Sequence, residues 1–162
     1  MPSFDIVSKL DMGELKNAVD QARREISGRY DFKGGNTSIS MNESTIEILA
    51  PDEYKIKAAL GILRTRMAKR NIGPRFVEPG NIDTTGNQMF KQILTIRDGL
   101  DKEQGKTVNK IVKSSGRKLS STYMDQRVRI SGKKIDDLQE IFSIIKNHKD
   151  IKVELQMENM KR

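Results

Sequence analysis

Residues Arg127–Gln139 have the sequence RVRISGKKIDDLQ, which predicts a β-strand, a glycine turn and the start of an α-helix. An earlier stretch, EILAPDEYK at Glu47–Lys55, follows the same plan. Polar and apolar residues alternate in RVRIS before the second turn and in the run STIEIL at 44–49 before the first, and after each turn apolar residues recur with the period of a helix. Arg129 lies 82 residues after Glu47, and this shared plan indicates an internal repeat.

The repeat extends outward from these two stretches at the same offset. Gly34 then corresponds to Gly116, Ile26 to Val108, Ile46 to Val128, and Leu60 to Phe142. The alternative is two unrelated α+β segments that share only the helical period. We favour the repeat because one offset spans a helix, a turn, a hairpin and a second helix.

Each half is predicted to run β-α-β-β-α-β. This order gives an α+β fold of two tandem ferredoxin-like sandwiches, each an antiparallel four-stranded sheet with both helices on one face. The stretch 72–87, IGPRFVEPGNIDTTGN, is rich in proline and glycine and is predicted to be a linker. The domains are therefore expected at 1–80 and 88–162, each close to the lower size limit for a stable core.

The chain has a formal net charge of +8, which favours polyanionic partners such as nucleic acid, nucleotides or an anionic membrane surface. It contains no cysteine, so disulfides and thiolate chemistry are excluded. No apolar run approaches the roughly 18 residues of a spanning helix, and the N-terminus lacks the pattern of a signal peptide. We expect a monomeric cytoplasmic protein that needs no membrane and no cofactor.

Several short motifs resemble those of the bacterial YajQ family: SFDIVS at 3–8, RYDFK at 29–33, KIVK at 110–113, VRISGKKIDDLQ at 128–139 and the linker EPGNI at 78–82. The resemblance implies two tandem domains of the RNA-recognition type. It also implies that strand 3–8 pairs with the C-terminal domain and that strand 89–96 pairs with the N-terminal one. It further implies binding of nucleotides or nucleic acid, with a cyclic dinucleotide as the ligand of some members, and no established catalysis.

Positive charge is concentrated in the C-terminal half. Up to Asp83 the chain has 13 Lys and Arg against 12 Asp and Glu, and after it 17 against 10. The repeated junction shows the same contrast, because Asp52 of the first copy is replaced by Lys134 in the second. A lysine opposes the dipole at a helix N-terminus, so its presence there indicates a use other than folding.

The period of the strand places Arg127, Arg129 and Ser131 on the open face of the sheet, because Val128 and Ile130 face the helices. That face is the binding platform of RNA-recognition domains, but this strand has no aromatic residue for base stacking. Phosphate contacts with little sequence specificity are therefore expected. The further candidates on this half are Lys133 and Lys134 at the turn, Arg117 and Lys118 at the hairpin entrance, and Lys110 and Lys113 on the preceding helix. The alternative for Gly132–Lys134 is a tight turn with solvated lysines.

A second candidate lies in RYDFKGG, where Arg29 and Lys33 flank two aromatic residues and could hold a nucleotide base. The alternative is a structural turn at Gly34 in which one of Tyr30 and Phe32 packs into the core.

Catalytic motifs are absent from the sequence: there is no nucleophile elbow, dinucleotide-binding glycine pattern or metal-ligand spacing. The only histidine, His148, is predicted to be a surface residue. The expected function is non-enzymatic binding of RNA, a guanine nucleotide or a cyclic dinucleotide. The alternative is an adaptor that contacts another protein and takes a nucleotide as its effector.

Overall fold

A computed structural model describes all residues 1–162. The eight strands are β1 Ser3–Val7, β2 Ser38–Met41, β3 Thr45–Ala50, β4 Val77–Thr84, β5 Phe90–Ile96, β6 Leu119–Met124, β7 Arg127–Gly132 and β8 Gln156–Lys161. The four α-helices are α1 Met12–Gly28, α2 Glu53–Lys69, α3 Lys102–Ser114 and α4 Ile135–Lys146, and one-turn 3₁₀ helices lie at Tyr30–Phe32 and Pro74–Phe76. The α+β class is confirmed. No helix combines the length and apolar character needed to cross a membrane.

The chain folds as two units, each with its own core. The continuous unit is Leu10–Arg97, and the split unit is Met1–Lys9 together with Asp98–Arg162. The domain boundaries at 1–80 and 88–162 therefore do not match these units, because each range lacks one strand of its own sheet. The continuous unit is inserted into the split unit between β1 and α3.

Each sheet has four antiparallel strands in the order of a ferredoxin-like fold. In the split unit the order is β6-β7-β1-β8, so the first strand of the chain lies in the middle of the C-terminal sheet. In the continuous unit the order is β2-β3-β5-β4, and β5 occupies the position that β1 holds in the other sheet. These are the pairings that the family resemblance implied for strands 3–8 and 89–96.

Residues 77–84 form strand β4 rather than a linker. This strand pairs with β5 along an irregular register interrupted between Pro79 and Ile82. Because β4 is at the edge of its sheet, a proline that cannot donate a hydrogen bond is tolerated there. A composition rich in proline and glycine therefore marked an edge strand and its bulge.

The offset of 82 holds for the hairpin and the start of the second helix but fails for the first helices. β3 begins at Thr45 and β7 at Arg127, whereas the N-caps of α1 and α3, Asp11 and Asp101, are 90 residues apart. The first copy is longer because α1 has 17 residues against 13 in α3 and is followed by a 3₁₀ turn. The pairing of Ile26 with Val108 is therefore wrong.

Candidate anion-binding surface

The open face of the split-unit sheet carries Arg127 and Arg129, as the strand period predicted. Val128 and Ile130 on the same strand are fully buried on the helix side. The side chain of Arg129 is 53% exposed and that of Arg127 is 29% exposed. They line a hollow of about 280 Å³ together with Ser120, Thr122, Met124 and Ser131. No aromatic side chain lines this hollow, so its chemistry is that of guanidinium and hydroxyl donors.

Both arginines donate to one buried carboxylate, that of Asp5 on β1. Arg129 Nε lies 2.9 Å from Asp5 Oδ1, and Arg127 Nη1 lies 3.0 Å from Oδ2. Asn159 Nδ2 donates to Asp5 Oδ2 at 3.1 Å. The backbone of Asn159 has a φ of 56°, a conformation that asparagine tolerates better than most residues. Asp5 faces the open side of the sheet but is only 1% exposed, because these three side chains cover it.

The contacts of Asp5 shift its protonation. Its hydrogen bond to Arg129 is the largest influence, and with those to Asn159 and Arg127 it lowers the pKa of Asp5 from 3.8 to about 2 against the opposing effect of burial. Glu158 extends the network, with its carboxylate 3.0 Å from Lys9 Nζ. Arg127 and Arg129 are thus partly neutralised from within the sheet, and the remaining guanidinium donors of Arg129 face the solvent.

The junction between β7 and α4 differs from every other helix start in the chain. The N-cap residues Asp11, Asp52 and Asp101 each accept a backbone hydrogen bond at the starts of α1, α2 and α3. The N-cap of α4 is Lys134, whose side chain makes no capping bond. An aspartate cap typically contributes about 1 kcal/mol, so α4 forgoes stability that the other helices have.

Gly132 ends β7 and is not a turn glycine. A Cβ at this position would overlap a terminal methyl group of Leu119 on β6, so a larger residue here would require the Leu119 side chain to move. Its backbone N–H donates to the carbonyl oxygen of Pro2 at 3.1 Å, which extends the pairing of β1 with β7. Gly132 is thus the last residue of the strand, and the predicted turn between strand and helix lies at Lys133 and Lys134, with Lys134 as the N-cap of α4.

Four predicted cations surround one depression of about 510 Å³, which we call the basic depression. They are Arg117, Lys118, Lys133 and Lys134. Arg117 is paired with Glu140 at 2.7 Å, whereas the three lysines have no ion pair. Asp137 also lines the depression and offsets part of this charge. Ser120 and Ser131 line both the basic depression and the hollow beside Arg127 and Arg129, so the two sites are continuous.

Lys110 and Lys113 lie on α3, in the helical layer on the other side of the sheet. Lys110 lines a separate pocket with Ser114, Ile144 and His148, and Lys113 lies outside it. Asp150 N–H donates to His148 Nδ1 at 3.1 Å, and the imidazole is partly exposed. The structure does not bring these two lysines together with the basic depression.

Arg29 and Lys33 belong to the continuous unit. Arg29 donates to Asp31 at 2.8 and 3.0 Å and lies over the ring of Phe32, 5.5 Å from its centroid. The Arg29 hydrogen bond lowers the pKa of Asp31. Phe32 is buried and Tyr30 is 88% exposed, so one aromatic residue packs as the structural alternative predicted. Arg29 is therefore engaged within the loop, while Lys33 is exposed with no ion pair.

The strand exchange also redistributes charge between the folded units. The split unit contains 16 Lys and Arg against 11 Asp and Glu, a net charge of +5, and the continuous unit contains 14 against 11, a net charge of +3. The difference in net charge between the two halves of the sequence is thus larger than the difference between the two folded units. No group of three or more His, Cys, Asp or Glu side chains is placed to hold a metal ion.

Comparisons with known proteins give one consistent result. The family model described as "Nucleotide-binding protein YajQ-like" matches residues 2–161. A protein from Geotalea uraniireducens named "Nucleotide-binding protein" is 41% identical over 162 residues, covering all of both chains. Proteins of the same name from Syntrophotalea carbinolica and Cytophaga hutchinsonii are 44% and 42% identical over at least 99% of each chain.

Proposed function

The chain belongs to the family described as nucleotide-binding protein YajQ-like, and from this premise we propose that it binds nucleotide phosphates through the basic depression of its split unit. The observation that carries the proposal is the convergence of Lys118, Lys133 and Lys134, three lysines without ion-pair partners, around one concave surface. Ammonium groups placed in this way form charge-assisted hydrogen bonds with phosphate oxygens.

The continuity of the two hollows supports a ligand with more than one phosphate. One phosphate would lie among the lysines of the basic depression, and a second would meet Arg129 across Ser120 and Ser131. RNA and a cyclic dinucleotide each carry more than one phosphate, whereas a nucleoside monophosphate carries one. Because the hollow lacks aromatic residues, we propose backbone contacts with little discrimination between bases.

The proposed role is binding rather than catalysis. The side chains that converge on the basic depression are cations and hydroxyls suited to holding an anion, and Asp137 is the only carboxylate among them. Formation of a product from GTP or RNA by the pure protein, with the loss of that activity in a Lys133 variant, would contradict this role.

Removal of the three lysines tests the proposal. We expect Lys118→Ala, Lys133→Ala and Lys134→Ala together to weaken binding of a labelled single-stranded RNA by about 100-fold at low salt. Each phosphate contact on a single strand contributes about 0.7 to the slope of log K against log salt, so the slope should fall by about 2. Fluorescence anisotropy between about 50 and 200 mM salt measures both quantities.

A matched control removes the same charge from the continuous unit. Lys57, Arg64 and Lys69 are exposed on α2 and have no ion pairs, so their replacement by alanine should leave most of the affinity and the slope unchanged. Equal losses in the two triple variants would show that only net charge matters and would contradict the proposed site.

The cap position of α4 gives a second prediction. Lys134→Asp should raise the free energy of unfolding by about 1 kcal/mol, because it supplies the cap that the other three helices have. It should also weaken RNA binding by about tenfold or more, because it places a negative charge in the basic depression. Denaturant unfolding and anisotropy on the same protein measure the two effects.

Lys102→Asp is the control for that substitution. It makes the same charge change at the start of α3, where Asp101 already caps the helix. A Lys134→Asp protein that binds RNA as tightly as the Lys102→Asp protein would argue against a phosphate contact at this junction.

A further inference from the structure

Two aromatic side chains of the chain are exposed to solvent, and both belong to the continuous unit. Tyr30 begins the 3₁₀ turn after α1 and is 88% exposed, and Tyr54 lies in the first turn of α2 and is 74% exposed. Tyr123, by contrast, is partly buried, and its hydroxyl donates to the carbonyl oxygen of Leu100. The fold therefore leaves two tyrosine rings available to a ligand.

The exposed tyrosines belong to one region of the surface. The turn that starts at Tyr30 continues to Gly35, where an added Cβ would lie 3.6 Å from Lys55 Nζ and 3.8 Å from Pro51 Cγ. The loop after α1 therefore rests against the start of α2. Tyr54 directly precedes Lys55, so the two rings stand on either side of this contact.

The charges around the two rings balance. The pKa of Asp31 is lowered mainly by its hydrogen bond from Arg29, and the nearby charge of Lys55 lowers it further. The segments 29–33 and 52–55 contain three cations and three carboxylates, which are Arg29, Lys33 and Lys55 against Asp31, Asp52 and Glu53. This region therefore has no net charge to attract an anion, and a ligand here would be held mainly by contact with the rings.

The repeat relates this region to the basic depression of the split unit. Gly34 and Gly116 lie 82 residues apart, and both have a positive φ, of 74° and 73°. At the same offset the N-cap Asp52 corresponds to the N-cap Lys134. The longer connection after α1 adds the turn that carries Tyr30, whereas no aromatic residue lines the basic depression. Equivalent surfaces thus carry exposed rings in one unit and unpaired cations in the other.

We propose that Tyr30 and Tyr54 form a base-stacking site for single-stranded nucleic acid, which we call the tyrosine site. This site rests on the proposed function and deepens it, because it supplies contacts to bases that the basic depression lacks. Every base has a π face, so stacking on a tyrosine ring accepts any sequence. Lys33 and Lys55 lie next to the rings and would meet the phosphates that flank a stacked base.

The surroundings of the rings favour a base over a protein surface. Aromatic anchors of protein interfaces lie among further residues that exclude water from them. Tyr30 lies instead between Arg29 and Asp31 in the sequence, and Tyr54 is flanked by Glu53 and Lys55. A stacked base needs only the face of a ring, and charged neighbours do not prevent that contact.

The test separates base contacts from phosphate contacts. It compares two labelled single strands of about 12 nucleotides, one of deoxythymidine and one in which every base is absent. Both strands have the same sugar–phosphate backbone, so the basic depression should bind them alike. We expect the full-length chain to bind the strand with bases at least about tenfold more tightly than the abasic strand.

Paired variants locate the base contact. Tyr30→Ala with Tyr54→Ala should bring the two affinities within about twofold of each other and leave binding of the abasic strand unchanged. Tyr30→Phe with Tyr54→Phe keeps both rings and should keep the preference for bases. Ile93→Ala with Ile144→Ala is the matched control, because it removes two exposed apolar side chains away from the tyrosine site.

Tyrosine fluorescence gives a second readout, because the chain has three tyrosines and no tryptophan. The strand with bases should quench the emission of the parent chain at saturation, and the abasic strand should not. In the variant with phenylalanine at both positions only Tyr123 emits, and this quenching should disappear while the preference for bases remains.

The outcomes distinguish this inference from the proposed function. Equal binding of both strands by the parent chain would overturn the tyrosine site and leave the phosphate site standing, and it is the result expected if the rings contact a protein instead. A preference for bases that survives both alanine substitutions, or that is lost equally with phenylalanine, would also overturn it. Loss of Lys118, Lys133 and Lys134 without effect on either strand would contradict the phosphate site alone. Binding of neither strand would overturn both.

Discussion

Replacing Asp5 with asparagine is expected to lower the free energy of unfolding by about 2 to 3 kcal/mol at neutral pH. The substitution leaves Arg127 and Arg129, which lie side by side on the open face of β7, without the carboxylate that lies 3.0 and 2.9 Å from them. Removing one partner of a buried ion pair is costly because the remaining charge is left without compensation. Both arginines are partly exposed, so water recovers part of that cost.

The same contact predicts how stability depends on pH. The pKa of Asp5 is about 2 in the folded chain and 3.8 when unperturbed, so the folded state favours the ionised form. Its contribution of about 2 kcal/mol is fully present above about pH 4 and is lost as the pH falls through about 2. Chemical denaturation of the parent protein and of Asp5→Asn across this pH range measures the free energy of unfolding of each. The difference between these two free energies should become smaller as the pH is lowered.

Asp31→Asn is the control for this experiment. Asp31 also accepts two hydrogen bonds from an arginine, but this pair is exposed to solvent, so the expected loss is much smaller than that for Asp5→Asn. If Asp5→Asn cost no more than Asp31→Asn, or kept the same acid dependence as the parent, Asp5 would not have the structural role assigned to it.

Fragments of the chain should fold only when they respect the exchanged strands. Residues 10–97 contain every strand of the continuous-unit sheet and should unfold cooperatively on their own. Residues 1–80 are of similar length but lack β5, which pairs on both sides in that sheet, and should remain unfolded. Amide dispersion and urea unfolding of the two fragments distinguish these outcomes.

Deletion of residues 1–9 is the reciprocal experiment. It removes Phe4 and Ile6 from the split-unit core together with the buried Val7, each at most 2% exposed. Their burial contributes about 6 kcal/mol, comparable to the whole stability of a small domain. The split unit should lose cooperative unfolding while the amides of 10–97 keep their dispersion. Cooperative folding of fragment 1–80, or of both units after the deletion, would contradict the exchange.

The sequence predicted the repeated architecture because its hairpins and second helices share one offset. It misaligned the first helices because 82 and 90 differ by eight residues, close to two helical turns, so the apolar stripes match at either offset. It could not locate the strand exchange, since strand periodicity reveals which face is buried but not which sheet the strand joins. That prediction came from the family resemblance.

The candidate site was predicted in part. The outward direction of Arg127 and Arg129 followed from the period of β7. Lys133 and Lys134 became candidates because the matching stretch of the first copy, EILAPDEYK, has no lysine at the start of its helix. Asp5 was missed because its contact depends on the pairing of residues more than 120 positions apart in the chain. An acidic residue within the apolar run of SFDIVS was the only signal for it.

The most direct test of the central claim is a titration of the ¹⁵N-labelled full-length chain with a short single-stranded RNA, followed amide by amide. We expect saturable shifts at Ser120, Ser131, Gly132, Lys133 and Lys134 that weaken as salt is raised. We also expect Lys118→Ala, Lys133→Ala and Lys134→Ala together to remove these shifts. Shifts confined to residues 10–97, or shifts in the basic depression that survive removal of all three lysines, would contradict the proposed phosphate site.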